Sequence, residues 1–162
     1  MGTFWSSSVS KFGWATAALF AAVAVSAVLP VMGPLNPFIA NSGNAAFVAE
    51  GHRLYTIHCS SCHGRSLEGQ TNWQTPLPNG RMPAPPHGAS GHTWHHSDDD
   101  LTGIVKFGLK LYVVKDYESD MPAFEPILKD KEILAIVTYI KSTWPEREQA
   151  YQEQITQQSK AK

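Results

Sequence analysis

From Phe12 to Met32 the chain is almost wholly apolar, and no charged residue occurs between Phe12 and Ala49. Lys11 stands on the N-terminal side of this run, as the positive-inside tendency requires of a segment that sends its C-terminal end outward. About 20 helical residues rising 1.5 Å each span the thickness of a bilayer core. The pattern predicts a transmembrane anchor over 12–32, behind a short cytoplasmic stretch at 1–11. Trp5 and Trp14 suit an interfacial belt. A cleaved signal peptide is the alternative, with an apolar core from Trp14 to Val25 and a small-residue site at Val25-Ser26-Ala27. The apolar run continues past that site through Val28, Leu29, Val31 and Met32, which favours the anchor. Either way, the rest of the chain is delivered to the same side of the membrane.

Pro30, Gly33, Pro34 and Pro37 then break any helix, and 33–44 reads as a tether. Beyond it the apolar positions take helical spacing. Asn44 is placed to cap a helix carrying Phe47, Gly51, Leu54, Tyr55 and His58 on one face. A glycine within a helix costs about 1 kcal/mol against alanine. On the apolar face it predicts another helix crossing closely there, with an incidental glycine as the alternative. Gly64 to Gly91 is irregular and rich in Gly, Pro and Asn. A structureless stretch of that length is uncommon in a small domain and makes sense as a wrap around a bound group.

A second helix is expected from Ser97, with three aspartates in its first turn favouring the dipole. Leu101, Ile104, Val105 and Phe107 form its stripe, and Gly108 stops it. A shorter turn over Leu109 to Val114 leads on to Met121-Pro122. The third helix should run from Asp130 to Trp144 and end at Pro145. Ile133, Ile136, Val137, Ile140 and Trp144 line one face, with Ala135 and Tyr139 beside it. This is the natural partner for the glycine-bearing helix. The remainder, 145–162, is polar and glutamine-rich, and reads as a solvated helical extension or a disordered tail without chemistry of its own.

Composition narrows the picture. The 162 residues leave room for one small domain after the apolar segment, and a formal net charge of −1 shows no nucleic-acid footprint. Only two cysteines occur, so there is no disulfide framework. Both lie in Cys59-Ser60-Ser61-Cys62-His63. Cys-x-x-Cys-His is the pattern in which two thiols add to the haem vinyl groups and the adjacent imidazole ligates the iron. Two intervening residues bring both sulfurs to one side of a helical turn, and the next residue is held under the ring centre. A zinc site would need about four ligands, which the downstream histidines could complete, but no second Cys-x-x-Cys is evident. A redox dithiol should follow a hydrophobic strand, whereas the residues before Cys59 read as a helix. Haem addition to thiols takes place outside the cytoplasm, in keeping with the exported topology.

The order of parts resembles a class I c-type cytochrome with a single haem, of the membrane-anchored bacterial kind. The resemblance covers 45–144. It rests on Gly51 and Tyr55 before the Cys59–His63 motif, on Ala84-Pro85-Pro86, on Met121-Pro122, and on the helix carrying Leu134 and Tyr139. It implies an all-α fold of three to four helices around one covalent haem c, attached through Cys59 and Cys62, with the first and last helices crossing near Gly51 and Tyr139. It further implies that His63 and Met121 are the axial ligands, and that the Pro85 carbonyl bonds the far nitrogen of His63, fixing its tautomer. Met82-Pro83 offers the same dipeptide as Met121-Pro122. Met82 lies beside Pro85 and is expected on the His63 side, whereas Met121 follows a full intervening helix that lets the chain reach the other face.

His87, His92, His95 and His96 fall within ten residues, a pattern that also suits Zn(II) or Cu(II). The expectation is otherwise: some bond to haem propionates or cap the Ser97 helix, and the others are solvated. Trp94 is expected to donate its indole N–H to a propionate or to pack on the haem edge, and Arg81 to pair with a propionate. The function expected is one-electron transfer between membrane respiratory or photosynthetic complexes, not catalysis. The domain would face the periplasm from a single-pass anchor in the inner membrane, touching the lipid bilayer only through that anchor. A cytochrome subunit through which electrons enter a larger membrane oxidoreductase is the alternative. A haem enzyme or gas sensor would need an open sixth position, against which Met121-Pro122 argues.

Overall fold

The computed structural model of the protein describes residues 1–3, 41–109, 112 and 117–161. The expected anchor at 12–32, most of the tether at 33–44 and most of the short turn at 109–114 lie outside the described residues. Among the described residues no helix is long and apolar enough to cross a membrane.

Among the described residues, five complete α-helices lie within the compact unit Pro34–Lys162: α1 (Ala45–His58), α2 (Ser60–His63), α3 (Asp98–Phe107), α4 (Asp130–Ser142) and α5 (Glu146–Lys160). A 3₁₀ turn at Thr93–His95 precedes α3, and no strand occurs among the described residues. The all-α fold is as expected, with one docked helix more than the sequence suggested.

The α1–α4 pair forms the centre. Asn44 caps α1 by accepting the Phe47 N–H at 3.1 Å, satisfying a donor the first turn leaves free. Gly51, Leu54 and Tyr55 are buried on its inner face, against Ile133, Ile136, Val137 and Ile140 of α4. Gly51 is required by proximity. A Cβ placed on it would stand 2.0 Å from the Ala135 carbonyl oxygen and 2.9 Å from Tyr139 Cβ. Only a residue without a side chain lets the two backbones approach so closely. The crossing near Gly51 and Tyr139 is therefore a feature of the structure.

Helix α3 starts where the three aspartates place it. Ser97 accepts the Asp100 N–H, and the Asp100 carboxylate accepts from the Ser97 backbone, a reciprocal capping box. Gly108 ends the helix with φ 74°, a left-handed value that suits glycine. Leu101 is buried and Val105 packs on the core, but Phe107 is 41% exposed, with the Lys106 ammonium 5.4 Å from its ring centre. Phe107 lies beyond the inward stripe. Helix α4 stops at Ser142, two residues short of the expected end. Trp144 stays in the core all the same, its indole N–H donating to the His87 carbonyl at 2.7 Å.

The polar C-terminal segment corrects the expectation of a solvated extension or tail. It forms α5, whose Glu148, Gln152 and Thr156 are buried at i, i+4 and i+8. Gln152 Nε2 lies 2.8 Å from Asp98 Oδ1, 3.1 Å from Thr156 Oγ1 and 3.2 Å from the His96 carbonyl. Thr156 Oγ1 also accepts the Asp98 N–H at 3.1 Å, and the Lys141 ammonium bonds the Asp98 carboxylate. The helix is held by a buried polar network rather than an apolar stripe. Buried polar networks stabilise to the extent that their members are bonded, and here Gln152 Oε1 is buried without a hydrogen-bond partner among the described residues.

Candidate functional site

The Cys59–His63 motif falls where α1 ends. Cys59 closes α1 through its N–H to the Tyr55 carbonyl at 2.9 Å, and the same residue precedes α2, where the His63 N–H returns to the Cys59 carbonyl at 2.9 Å. This single turn brings Cys59, Cys62 and His63 to the wall of one cavity of about 700 Å³. Met82 and Met121 line the same cavity, with Leu101, Val105 and Ile136 among its apolar walls. The volume is that of a site for a substantial organic ligand.

His63 is held from behind. Its Nδ1–H donates to the Pro85 carbonyl at 2.9 Å, which leaves the lone pair on Nε2. Burial lowers the imidazole's pKa, against a smaller upward pull from the Pro85 bond. The ring is thus neutral, the form in which histidine binds a metal. The Pro85 carbonyl owes its position to a ladder between two loop segments. Gln70 N–H donates to Ala84 O at 2.8 Å, Ala84 N–H to Gln70 Oε1 at 2.8 Å, and His87 N–H to Leu67 O at 2.9 Å. The Gly69 N–H closes the ladder onto the His63 carbonyl at 2.8 Å. The irregular Gly64–Gly91 stretch is therefore ordered by backbone bonds around the motif. Tyr55, fully buried, donates its hydroxyl to the Gly64 carbonyl at 2.7 Å and fixes the exit of the turn.

Of the four clustered histidines, His87, His92 and His96 line the cavity and His95 does not. His87 stacks on His63 with ring centres 4.0 Å apart, and its Nδ1 meets Thr93 Oγ1 at 2.9 Å. Burial, with His63 and His92 nearby, holds its pKa well below the ordinary value. His92 and His96 line the cavity, both with pKa lowered mainly by burial. His95 turns away, against Trp94 at 3.8 Å and Tyr151 at 5.3 Å. Trp94 is not a cavity residue. Its indole donates to the Ala89 carbonyl at 3.3 Å, and its ring packs on Tyr151 of α5. The tryptophan that does line the cavity is Trp73, stacked on His92 at 5.3 Å. Nothing in its local sequence marks it, because its partner lies well along the loop. Arg81 also departs from expectation. Its guanidinium is taken up by Glu118, at 2.8 Å, and by Asp120, and of the three only Asp120 lines the cavity.

The cavity does not suit a dithiol redox pair. Burial, with Cys62 adjacent, pushes the Cys59 thiol up to about 12, whereas a reactive dithiol needs a lowered pKa. The residues do fit a haem. Two thiols and a neutral imidazole with a free Nε2 enter an apolar cavity from one helical turn, and polar rings of His92, His96 and Trp73 stand on the same wall system. Fold and cavity together define a small helical protein built around one covalently held tetrapyrrole. The Cytochrome c family model matches residues 48–144, more than half of the chain, and the protein belongs to that family as a class I c-type cytochrome carrying covalent haem c. No curated protein and no solved structure matches the chain. Membership implies haem-based electron transfer, and proteins of this family are in general electron carriers rather than enzymes.

Proposed function

We propose that the protein is a one-electron carrier with histidine–methionine ligation, tethered to the inner membrane and exposed to the periplasm, serving respiratory or photosynthetic complexes. Cys59 and Cys62 would hold the haem covalently, and His63 Nε2 and Met121 Sδ would be its axial ligands. Bound there, the haem supplies an Fe(II)/Fe(III) couple.

The observation that carries this reading is the His63–Pro85 bond. It orients Nε2 for ligation, while Met82, although it also lines the cavity, belongs to the same loop segment as Pro85. Met121 lines the cavity from a separate loop, with its N–H donating to Ser119 Oγ at 3.1 Å, and that separate approach supports it as the second ligand. A thioether is soft and neutral, favours reduced iron, and closes the site to small molecules. The uncharged run from Phe12 supports the anchor, and the lipid bilayer and membrane redox complexes are the partners this topology would meet.

The test is the optical spectrum of the oxidised protein. A sulfur-to-iron charge-transfer band should be present, survive Met82→Ala, and vanish in Met121→Ala with the haem still attached. Loss in Met82→Ala alone would reverse the ligand assignment. Ready binding of carbon monoxide by the unaltered protein would mean an open site and replace the carrier by an enzyme or sensor. Intact mass of membrane-extracted protein should include the N-terminal residues, and a mature start near Val28 would overturn the anchor.

A further inference from the structure

We infer that Arg81 is a positioning residue for the loop that carries Met121, acting as an ionic clasp between that loop and the proline-rich segment around Pro85. The inference rests on the methionine ligation proposed above. Arg81 Nη2 and Nε approach the same Glu118 oxygen at 2.8 and 3.3 Å, while Nη1 bonds Asp120. One guanidinium thus engages two carboxylates of the Met121 loop, and Asp120 is the residue directly before Met121.

The far end of the Met121 loop is fastened differently. Phe124 N–H donates to Val105 O at 3.1 Å and Glu125 N–H to Lys106 O at 2.9 Å, which attaches it to the end of α3. On the near side, Ser119 Oγ accepts the Met121 N–H, but that bond is internal to the loop. Among the described residues, Arg81 makes the side-chain ion pairs that join 117–121 to the rest of the fold. The planar fork suits this task, because it engages two carboxylates at once and an ammonium does so poorly. The Arg81 side chain is 34% exposed and its partners are more so. Salt should therefore reach and weaken the clasp.

The clasp sets how often Met121 leaves the iron. Imidazole is a suitable probe, since entry at the sixth position waits on that departure and the neutral ligand's encounter is insensitive to ionic strength. With the oxidised protein in excess imidazole, loss of the charge-transfer band should be about three- to tenfold faster in Arg81→Gln, the factor expected from an exposed pair network of this kind. Glu118→Gln with Asp120→Asn should give the same acceleration and add nothing to Arg81→Gln. Arg81→Lys should fall between. In the unaltered protein the rate should rise with salt towards that of Arg81→Gln, while the variant stays flat. Equal rates with and without Arg81, or the same salt dependence in both, would overturn the clasp and leave the ligand assignment standing. Absence of the band from the unaltered protein would instead remove the ligation on which the clasp rests.

Discussion

The amide nitrogen of Gln152, on the last helix, meets the carboxylate of Asp98, which opens α3, at 2.8 Å. The two residues bring the C-terminal segment onto the stretch that supplies His92 and His96 to the cavity. Gln152 Nε2 also reaches the His96 carbonyl, and Trp144 bonds that of His87. One end of the chain thereby braces a wall of the haem site.

The brace should be measurable as stability. Gln152→Ala leaves the His96 carbonyl and Asp98 short of a buried donor, at a cost of about 1–3 kcal/mol. Removing 146–162 should cost more, because Lys141–Asp98 and Trp94 also lose their cover. Denaturant midpoints of the haem-loaded protein decide this, and an unchanged midpoint on truncation would contradict the docking of α5.

Gly51→Ala tests the helix crossing. The substitution gains about 1 kcal/mol of helix propensity, but the new methyl meets the Ala135 backbone at an impossible distance. Overpacking of a rigid contact costs about 1–3 kcal/mol or more, so the net effect should be destabilising. Gly43→Ala, where a Cβ meets nothing within 4 Å, is the control and should be near neutral.

Stability should fall on the acidic side. His87 has a folded-state pKa well below its ordinary value because its ring is buried. Unfolding then takes up a proton once the pH drops below about 6.5, the unfolded value. The contribution is complete above that pH and is lost as pH falls towards the folded pKa. Unfolding midpoints between pH 7.5 and about 5, an interval set by the ordinary histidine pKa, should decline, and His87→Gln should flatten the slope. A slope unaltered by that change would assign the effect to other groups.

Covalent attachment has a chemical signature. Acid–organic extraction should leave the haem on the denatured chain, and Cys59→Ala with Cys62→Ala should release it. Complete extraction from the unaltered protein would contradict thioether linkage.

Much of this fold is written locally. Asn44, Ser97 and Gly108 mark helix ends because a cap acts within three residues of itself, and Gly51 announces a crossing because a glycine on an apolar face has few other uses. The docking of α5 was hidden for a physical reason. Glu148, Gln152 and Thr156 repeat at helical spacing, but they are polar, and periodicity is ordinarily read through apolar residues. Gln152 and Thr156 find their partners in Asp98 and the His96 carbonyl, more than fifty positions away. The same distance problem separated Arg81 from Glu118 and Asp120, and Trp73 from His92. A propionate role for Arg81 and Trp94 followed from residue type alone, whereas their orientation was fixed by partners elsewhere in the chain.

The ladder that fastens Pro85 behind His63 has a consequence for speed. A carrier is slowed by whatever must move when its charge changes by one unit. With its imidazole gripped through Nδ1 and the gripping carbonyl itself locked to a neighbouring loop segment, His63 has little room to readjust. Under the proposed ligation, an electron would arrive at and leave a seat that has nearly the same shape in both oxidation states, so the nuclear rearrangement accompanying each transfer stays small.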